Sequence, residues 1–279
     1  DRMFDMNGRK VLAPGTPLDY LSVRISITES RDICLDNIDR IDAYLQSMGM
    51  ADCNPAKVPI NKTILLNIQK NIDAKIMASP EEQELVGKYL GQAQWLAQTT
   101  HCTIAPAVSI LASIGNKGAT GCLAALKHLF RYLKGVRARG LWKRAGDFSG
   151  LKVSSDSDWA GLYTVIGETR SRSGILVTYN GMAIAWISKY QQCRSTEYHT
   201  GILYTLALIA QSSGEAETYA AGDAAKLTMH FRYVGEEIGE QLPETTVISI
   251  DAGAAKGFID NTGTIGRMKH IDLRQGWLN

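Results

Sequence analysis

Four acidic residues in the second half of the chain have types and positions suited to binding divalent metal ions together: Asp156, Glu215, Asp251 and Asp272. A single carboxylate at the end of a strand or helix is usually a cap or a solvated group. Several converging carboxylates, however, provide the oxygen ligands that Mg²⁺ prefers, and Mn²⁺ accepts the same donors. Two such ions about 4 Å apart can stabilise the attacking and leaving oxygens of a phosphodiester. The chemistry predicted for the four residues is therefore metal-dependent phosphodiester hydrolysis.

A basic segment in the first half could contact nucleic acid. Between residues 127 and 144 there are seven positive charges and no acidic residue: Lys127, Arg131, Lys134, Arg137, Arg139, Lys143 and Arg144. Such a run is often only a solvated helix face followed by a charged loop. It is also typical of a surface that follows a phosphate backbone and displaces its counterions. Both interpretations remain open from the residues alone.

Composition restricts the class of protein. The chain has 279 residues with 45% apolar and 21% charged side chains, which allows two globular domains and excludes disorder. Residues 1–150 carry a net charge of +5 and residues 151–279 one of −3, so the two halves are expected to differ in role. The five cysteines contain no Cys-x-x-Cys pair, which argues against structural zinc and a disulfide framework and favours a reducing compartment. No stretch predicts a membrane span or a secretory leader, so we expect a piece of a longer soluble protein.

The predicted helices and strands indicate where the acidic residues lie in the fold. The first half reads as a strand up to about residue 28, a helix over 36–48, an extended connector over 51–71 and helices over 80–98, 105–114 and 119–133. A capping box of Ser79 and Glu82 begins the second helix, and Lys134-Gly135 is expected to end the last. The second half changes to an antiparallel meander over 151–155, 174–179 and 182–188, with a tight turn at Asn180-Gly181. A helix over 215–238 and a short strand over 246–250 follow.

Several motifs then carry a resemblance to a known family. In the second half they occur in this order: SDSDWAG (155–161), GETRSRSGILVTYNG (167–181), AWISKYQQ (185–192), SSGEAETYAA (212–221), ISIDAGAAKG (248–257) and MKHIDLR (268–274). They resemble the ribonuclease H domain of copia-type LTR retrotransposon polyproteins. In the first half, residues 18–21, 48–55, 95–98 and 125–135 resemble the end of the reverse transcriptase palm, the thumb and the connection. The resemblance implies boundaries at 1–75, 76–147 and 148–279, and an α/β, ribonuclease H-like mixed sheet preceded by a mostly helical region.

The resemblance also implies roles for individual residues. Asp156, Glu215, Asp251 and Asp272 would be the catalytic metal ligands, with Asp158 the substitute for Asp156 and Glu217 the substitute for Glu215. Glu215 and Glu217 lie two residues apart on a helix, so only one can face the metals. The cofactor would be Mg²⁺, with Mn²⁺ as a substitute, and the substrate the RNA strand of an RNA·DNA hybrid.

The rest of the reverse transcriptase polyprotein would be a further partner. No membrane partner is expected, and the location implied is intracellular, either cytoplasmic in a virus-like particle or nuclear. No Asp-Asp pair occurs in the chain, so the polymerase active site of the family has no counterpart here. An insertion over 193–211 separates the third strand from the long helix. The alternatives are an inactive copy that only binds nucleic acid or acts as a scaffold, and an integrase-type core, which the thumb-like half disfavours.

Overall fold

The computed structural model describes residues 11–191, 210, 212–240, 242–243, 245–251 and 253, together with the backbone of 193–199 and 202–208. Within these residues the fold is mixed α/β. The strands are β1 (Leu18–Tyr20), β2 (Val23–Ile27), β3 (Ile33–Asp36), β4 (Leu141–Lys143), β5 (Leu151–Asp158), β6 (Arg172–Tyr179), β7 (Met182–Tyr190), β8 (Cys193–His199), β9 (Ile202–Leu208) and β10 (Ile248–Ser249). The helices are α1 (Ile38–Ser47), α2 (Lys62–Asp73), α3 (Pro80–Thr99), α4 (Ala105–Gly115), α5 (Cys122–Val136), α6 (Tyr163–Ile166) and α7 (Ser213–Glu237).

The first half combines an antiparallel sheet, in the order β1-β2-β3-β4, with five helices around one core. Apolar residues of α5 recur every three or four positions, so one side of the helix is buried along its whole length. Phe130 lies at the centre of this core, fully buried, with Tyr44 and Tyr89 packed edge-on against its ring. Ile41 of α1 and Leu96 of α3 complete the same core.

Helix α2 corrects the prediction of an extended connector over 51–71. Pro55 and Pro59 lie before the helix, and Asn61 caps it by accepting a hydrogen bond from the Ile64 N–H at 3.0 Å. Leu65 and Ile68 are then buried three residues apart. The prediction was wrong because the asparagines and lysines of this segment occupy the solvent side of an amphipathic helix.

The start of α3 is confirmed at Ser79 and Pro80, but the capping box is not closed. Ser79 Oγ accepts from the Glu82 N–H at 3.1 Å. The Glu82 carboxylate instead accepts from Thr120 Oγ1 and from the Gly121 N–H at 3.3 Å, and so binds the start of α5. Helix α5 also continues through Gly135, where close contact with Pro55, rather than helix termination, favours glycine.

The second half contains a four-stranded sheet in the order β10-β5-β6-β7. Strands β5, β6 and β7 form the predicted antiparallel meander, and Asn180 and Gly181 turn it with φ of 47° and 76°. Val153 and Val177 face α7, where Ala224 packs against them. Strand β10 returns parallel to β5. The backbone of the insertion forms a separate hairpin of β8 and β9.

The opposite face of this sheet packs on the helices of the first half. The Trp186 indole N–H of β7 donates to the Ala97 carbonyl at 2.5 Å, and Arg172 of β6 donates to Ser109 Oγ at 2.6 Å. Val165 and Ile166 of α6 belong to the core around Phe130. The two halves therefore share a packed boundary. Each helix in the described part of the chain is too short or too polar to cross a lipid bilayer.

Candidate metal centre

Two of the predicted acidic residues lie at the ends of neighbouring parallel strands. Ile248 pairs with Val153 and Ser249 with Ser154, so the register places residue 251 level with residue 156. The side chains of Asp156 and Asp251 are both exposed at this edge of the sheet. Because parallel strands end at the same edge, the short pairing of β10 with β5 is sufficient to bring these two carboxylates together.

Glu217 reaches the same edge from the second turn of α7. Its side chain is buried, and Oε1 accepts a hydrogen bond from the Ser157 N–H at 2.9 Å. The other oxygen, Oε2, is buried without a hydrogen-bond partner. A buried carboxylate oxygen without a partner is costly, and a bound cation would satisfy it.

Asp156, Glu217 and Asp251 form one cluster of carboxylates. Each offers an oxygen, and the three oxygens lie within 4.8 Å of one another. Burial raises the pKa of Glu217 to about 7, with further increases from the negative charges of Asp156 and Asp251, against the opposing effect of the Ser157 hydrogen bond. The mutual repulsion and the oxygen-only donor set both suit a hard divalent cation such as Mg²⁺ or Mn²⁺.

The other predicted acidic residues have different positions. Glu215 is buried and accepts a hydrogen bond from the Tyr219 hydroxyl at 2.9 Å, and it is not among the three clustered carboxylates. The Asp158 carboxylate is exposed and lies beside Gly161. Asp272 lies outside the described residues. The structure therefore brings together Asp156, Asp251 and Glu217, the residue given as the substitute for Glu215.

The basic segment is largely engaged within the protein. Arg131 and Lys134 donate to backbone carbonyls of residues 51–54, and Lys143 donates to those of Arg144 and Asp147. Arg137 pairs with Asp42 at 3.5 Å, and Arg144 with Asp32 at 2.8 Å. Lys127 and Arg139 are exposed and make no side-chain hydrogen bond or ion pair with the described residues.

The chain is similar to retrovirus-related Pol polyproteins of plant transposons. It is 27% identical over 282 residues to the polyprotein of transposon TNT 1-94 from Nicotiana tabacum, a match that covers 99% of this chain and 19% of that protein. It is 29% identical over 184 residues to the polyprotein of transposon RE1 from Arabidopsis thaliana, covering 66% of this chain and 11% of that protein. The chain thus spans about a fifth or less of the length of these relatives.

A shorter match involves a protein that is not described as a Pol polyprotein. The secreted RxLR effector protein 161 of Plasmopara viticola is 35% identical over 104 residues, which cover 37% of this chain and 70% of that protein. No family model matches the chain. No solved structure matches it either.

The match to the tobacco polyprotein includes both halves of this chain. Over nearly its whole length the chain is therefore similar to part of the Pol polyproteins of copia-type retrotransposons.

Proposed function

We propose that residues 148–279 form a ribonuclease H-like domain that hydrolyses the RNA strand of RNA·DNA hybrids as part of a retrotransposon polyprotein. The observation that carries this proposal is the convergence of Asp156, Glu217 and Asp251 within 4.8 Å, with one buried Glu217 oxygen lacking a partner. A solvated acidic surface would not leave a buried carboxylate oxygen without a partner. The mixed sheet with α7 on one face is compatible with the fold that the sequence motifs imply.

Asp156, Glu217 and Asp251 would hold the metal, with Asp272 as a fourth proposed ligand from outside the described residues. Bound Mg²⁺ or Mn²⁺ would neutralise the phosphate charge and supply an activated water for in-line attack. Without a cation, the three carboxylates would repel a phosphodiester from this edge of the sheet. The Ser157 N–H orients Glu217 by binding Oε1, and Oε2 has no hydrogen-bond partner among the described residues. The RNA strand would be distinguished by its 2′-hydroxyl groups and groove shape.

For the first half we propose the end of the palm and the thumb over 1–75 and the helical connection over 76–147. The core around Phe130 takes residues from both sides of position 75, so these two regions would act as one rigid support. Phosphate contacts would come from the basic segment, above all from the exposed Lys127 and Arg139. DNA synthesis is not part of the proposal, because the chain contains no Asp-Asp pair.

The test is cleavage of a labelled RNA·DNA hybrid by the full 279-residue chain in Mg²⁺ and in Mn²⁺. Asp156→Asn removes a negative charge and supplies a poorer ligand for a hard cation, so cleavage should fall by orders of magnitude. Asp158→Asn is the matched control, since Asp158 is an exposed acid of the same strand outside the cluster, and it should remain within a few-fold of wild type. A wild-type chain that binds hybrid but never cuts it would favour the inactive-copy alternative.

A further inference from the structure

Gln191 is a buried amide that joins three segments beneath the carboxylate cluster. Its side chain follows the end of β7 and is 8% exposed. Nε2 lies 2.7 Å from the Ala216 carbonyl, 3.0 Å from Ser173 Oγ and 3.2 Å from Ser157 Oγ. These groups belong to α7, β6 and β5, so one side chain connects the helix to both strands on which it rests.

Two of these contacts adjoin the clustered carboxylates. Ser157 follows Asp156, and Ala216 precedes Glu217. The Ser157 N–H donates to Asp156 Oδ1 at 2.8 Å and to Glu217 Oε1 at 2.9 Å, so the Ser157 backbone orients both acids. By holding Ser157 and Ala216, Gln191 restrains the separation between the end of β5 and the second turn of α7.

From this geometry we infer that Gln191 is a positioning residue for the metal centre, and the inference rests on the metal site proposed above. Gln191 does not touch the clustered oxygens. It acts through Ser157, whose backbone orients the carboxylates of Asp156 and Glu217, and through the first turns of α7. Groups that orient metal ligands in this way commonly change metal affinity by about tenfold or more when they are removed.

A packing role alone would give a different result from a positioning role. Gln191→Leu keeps similar bulk but removes the amide N–H donors. Val177→Ala makes a cavity in the same sheet, at a fully buried position that has no contact with the cluster, and serves as the matched control. Both variants should lower the melting temperature. Only the variant at Gln191 should alter the metal centre.

The experiment measures Mn²⁺ affinity of the full chain by electron paramagnetic resonance of the free ion, at a temperature where every variant is folded. Gln191→Leu should weaken Mn²⁺ binding about tenfold, and Val177→Ala should leave it within about twofold of wild type. In the metal-free protein, hydrogen exchange of the Ser157 amide should accelerate in Gln191→Leu but not in Val177→Ala. If Gln191→Leu does not fold, Ser157→Ala replaces it in the Mn²⁺ titration. This variant removes the hydroxyl that accepts from Gln191 and keeps the backbone N–H that binds the two carboxylates.

Equal Mn²⁺ affinity in wild type and Gln191→Leu, or equal weakening in both variants, would overturn the positioning role while leaving the hydrolase proposal intact. If the wild-type chain binds Mn²⁺ more tightly than Gln191→Leu by the expected factor, yet cuts no hybrid, the positioning role is supported and the hydrolase proposal is overturned. A wild-type chain that binds no Mn²⁺ would overturn both.

Discussion

Glu217 and Glu215 lie two residues apart on α7, and their carboxylates have different surroundings. Glu217 lies with Asp156 and Asp251, whereas Glu215 accepts from Tyr219. We expect Glu217→Gln to weaken Mg²⁺ binding by at least tenfold, because it removes a charged ligand. Glu215→Gln retains an acceptor for the Tyr219 hydroxyl and should change binding by less than about threefold. Isothermal titration with Mg²⁺ compares the two variants, and the reverse order of effects would place Glu215 at the metal.

The raised pKa of Glu217 predicts how the stability of the metal-free protein depends on pH. The ordinary pKa of a glutamate is 4.5, and in the folded chain that of Glu217 is about 7. Between these values the folded state retains a proton that the unfolded state releases, so the contribution of Glu217 to stability falls as pH rises through about 7. Thermal melts without metal should therefore show wild type losing stability relative to Glu217→Gln between about pH 5 and pH 8. Saturating Mg²⁺ at pH 8 should recover the loss, and parallel melting curves would contradict the prediction.

The choice between the two glutamates could be made from helical periodicity. Ala220, Ala224 and Phe231 share one face of the predicted helix, and Glu217 precedes them by three, seven and fourteen residues. The stripe therefore reaches Glu217 rather than Glu215. Asp156 and Asp251 could be proposed from their places at strand ends. That these two residues lie side by side in the sheet could not be predicted, because it depends on the register of two strands far apart in the chain.

Among the elements, α3 and α5 are joined at their first turns by one carboxylate. Glu82 of α3 binds Thr120 Oγ1 and the N–H of Gly121, the N-cap of α5. Glu82→Ala should lower the free energy of unfolding by about 1–2 kcal/mol, because it leaves these donors without their acceptor. Glu81→Ala is the control, since Glu81 occupies the same first turn and carries the same charge. Urea denaturation compares them, and equal losses would reduce the role of Glu82 to a helix-dipole effect.

Elements with strong local signals were predicted better than elements defined by distant contacts. The Ser79 N-cap of α3, the Asn180-Gly181 turn and the periodicity of α7 depend on neighbours in sequence, and the structure confirms them. Helix α2 was missed because its polar side chains suggested an extended connector. The buried positions Leu65 and Ile68 are recognised as one helix face only from their packing against the core. The prediction of a helix end at Gly135 was wrong because its contact with Pro55 is not visible in the local sequence.

At the scale of the whole molecule, the surface charge is less available than the sequence indicates. Five of the seven cations in the basic segment have partners within the protein: two pair with acidic side chains, which offsets their charge, and three donate to backbone carbonyls, which restricts the N–H groups they can offer to phosphate. Lys127 and Arg139 should therefore carry most of the binding to nucleic acid. Replacing both with Ala should reduce the slope of log affinity against log salt by about 0.9 for each phosphate that the protein no longer neutralises.

Fluorescence anisotropy with a labelled hybrid over a range of salt concentrations measures this slope. Lys88→Ala, an exposed lysine of α3 outside the basic segment, is the control and should not change it. An unchanged slope in the double variant would assign the segment to a structural role, in which its side chains bind carbonyls and acids of the first half.

The pairing of β10 with β5 determines which insertions and deletions would disrupt the carboxylate cluster in copies of this sequence. Only two residues of β10 define the register that brings residue 251 level with Asp156. Inserting or deleting one residue within 248–251 would turn Asp251 to the other face of the sheet. The same change in the connection that follows Glu237 could be absorbed before β10 begins. If the site hydrolyses RNA as proposed, active copies should vary in length between α7 and β10 but not within β10.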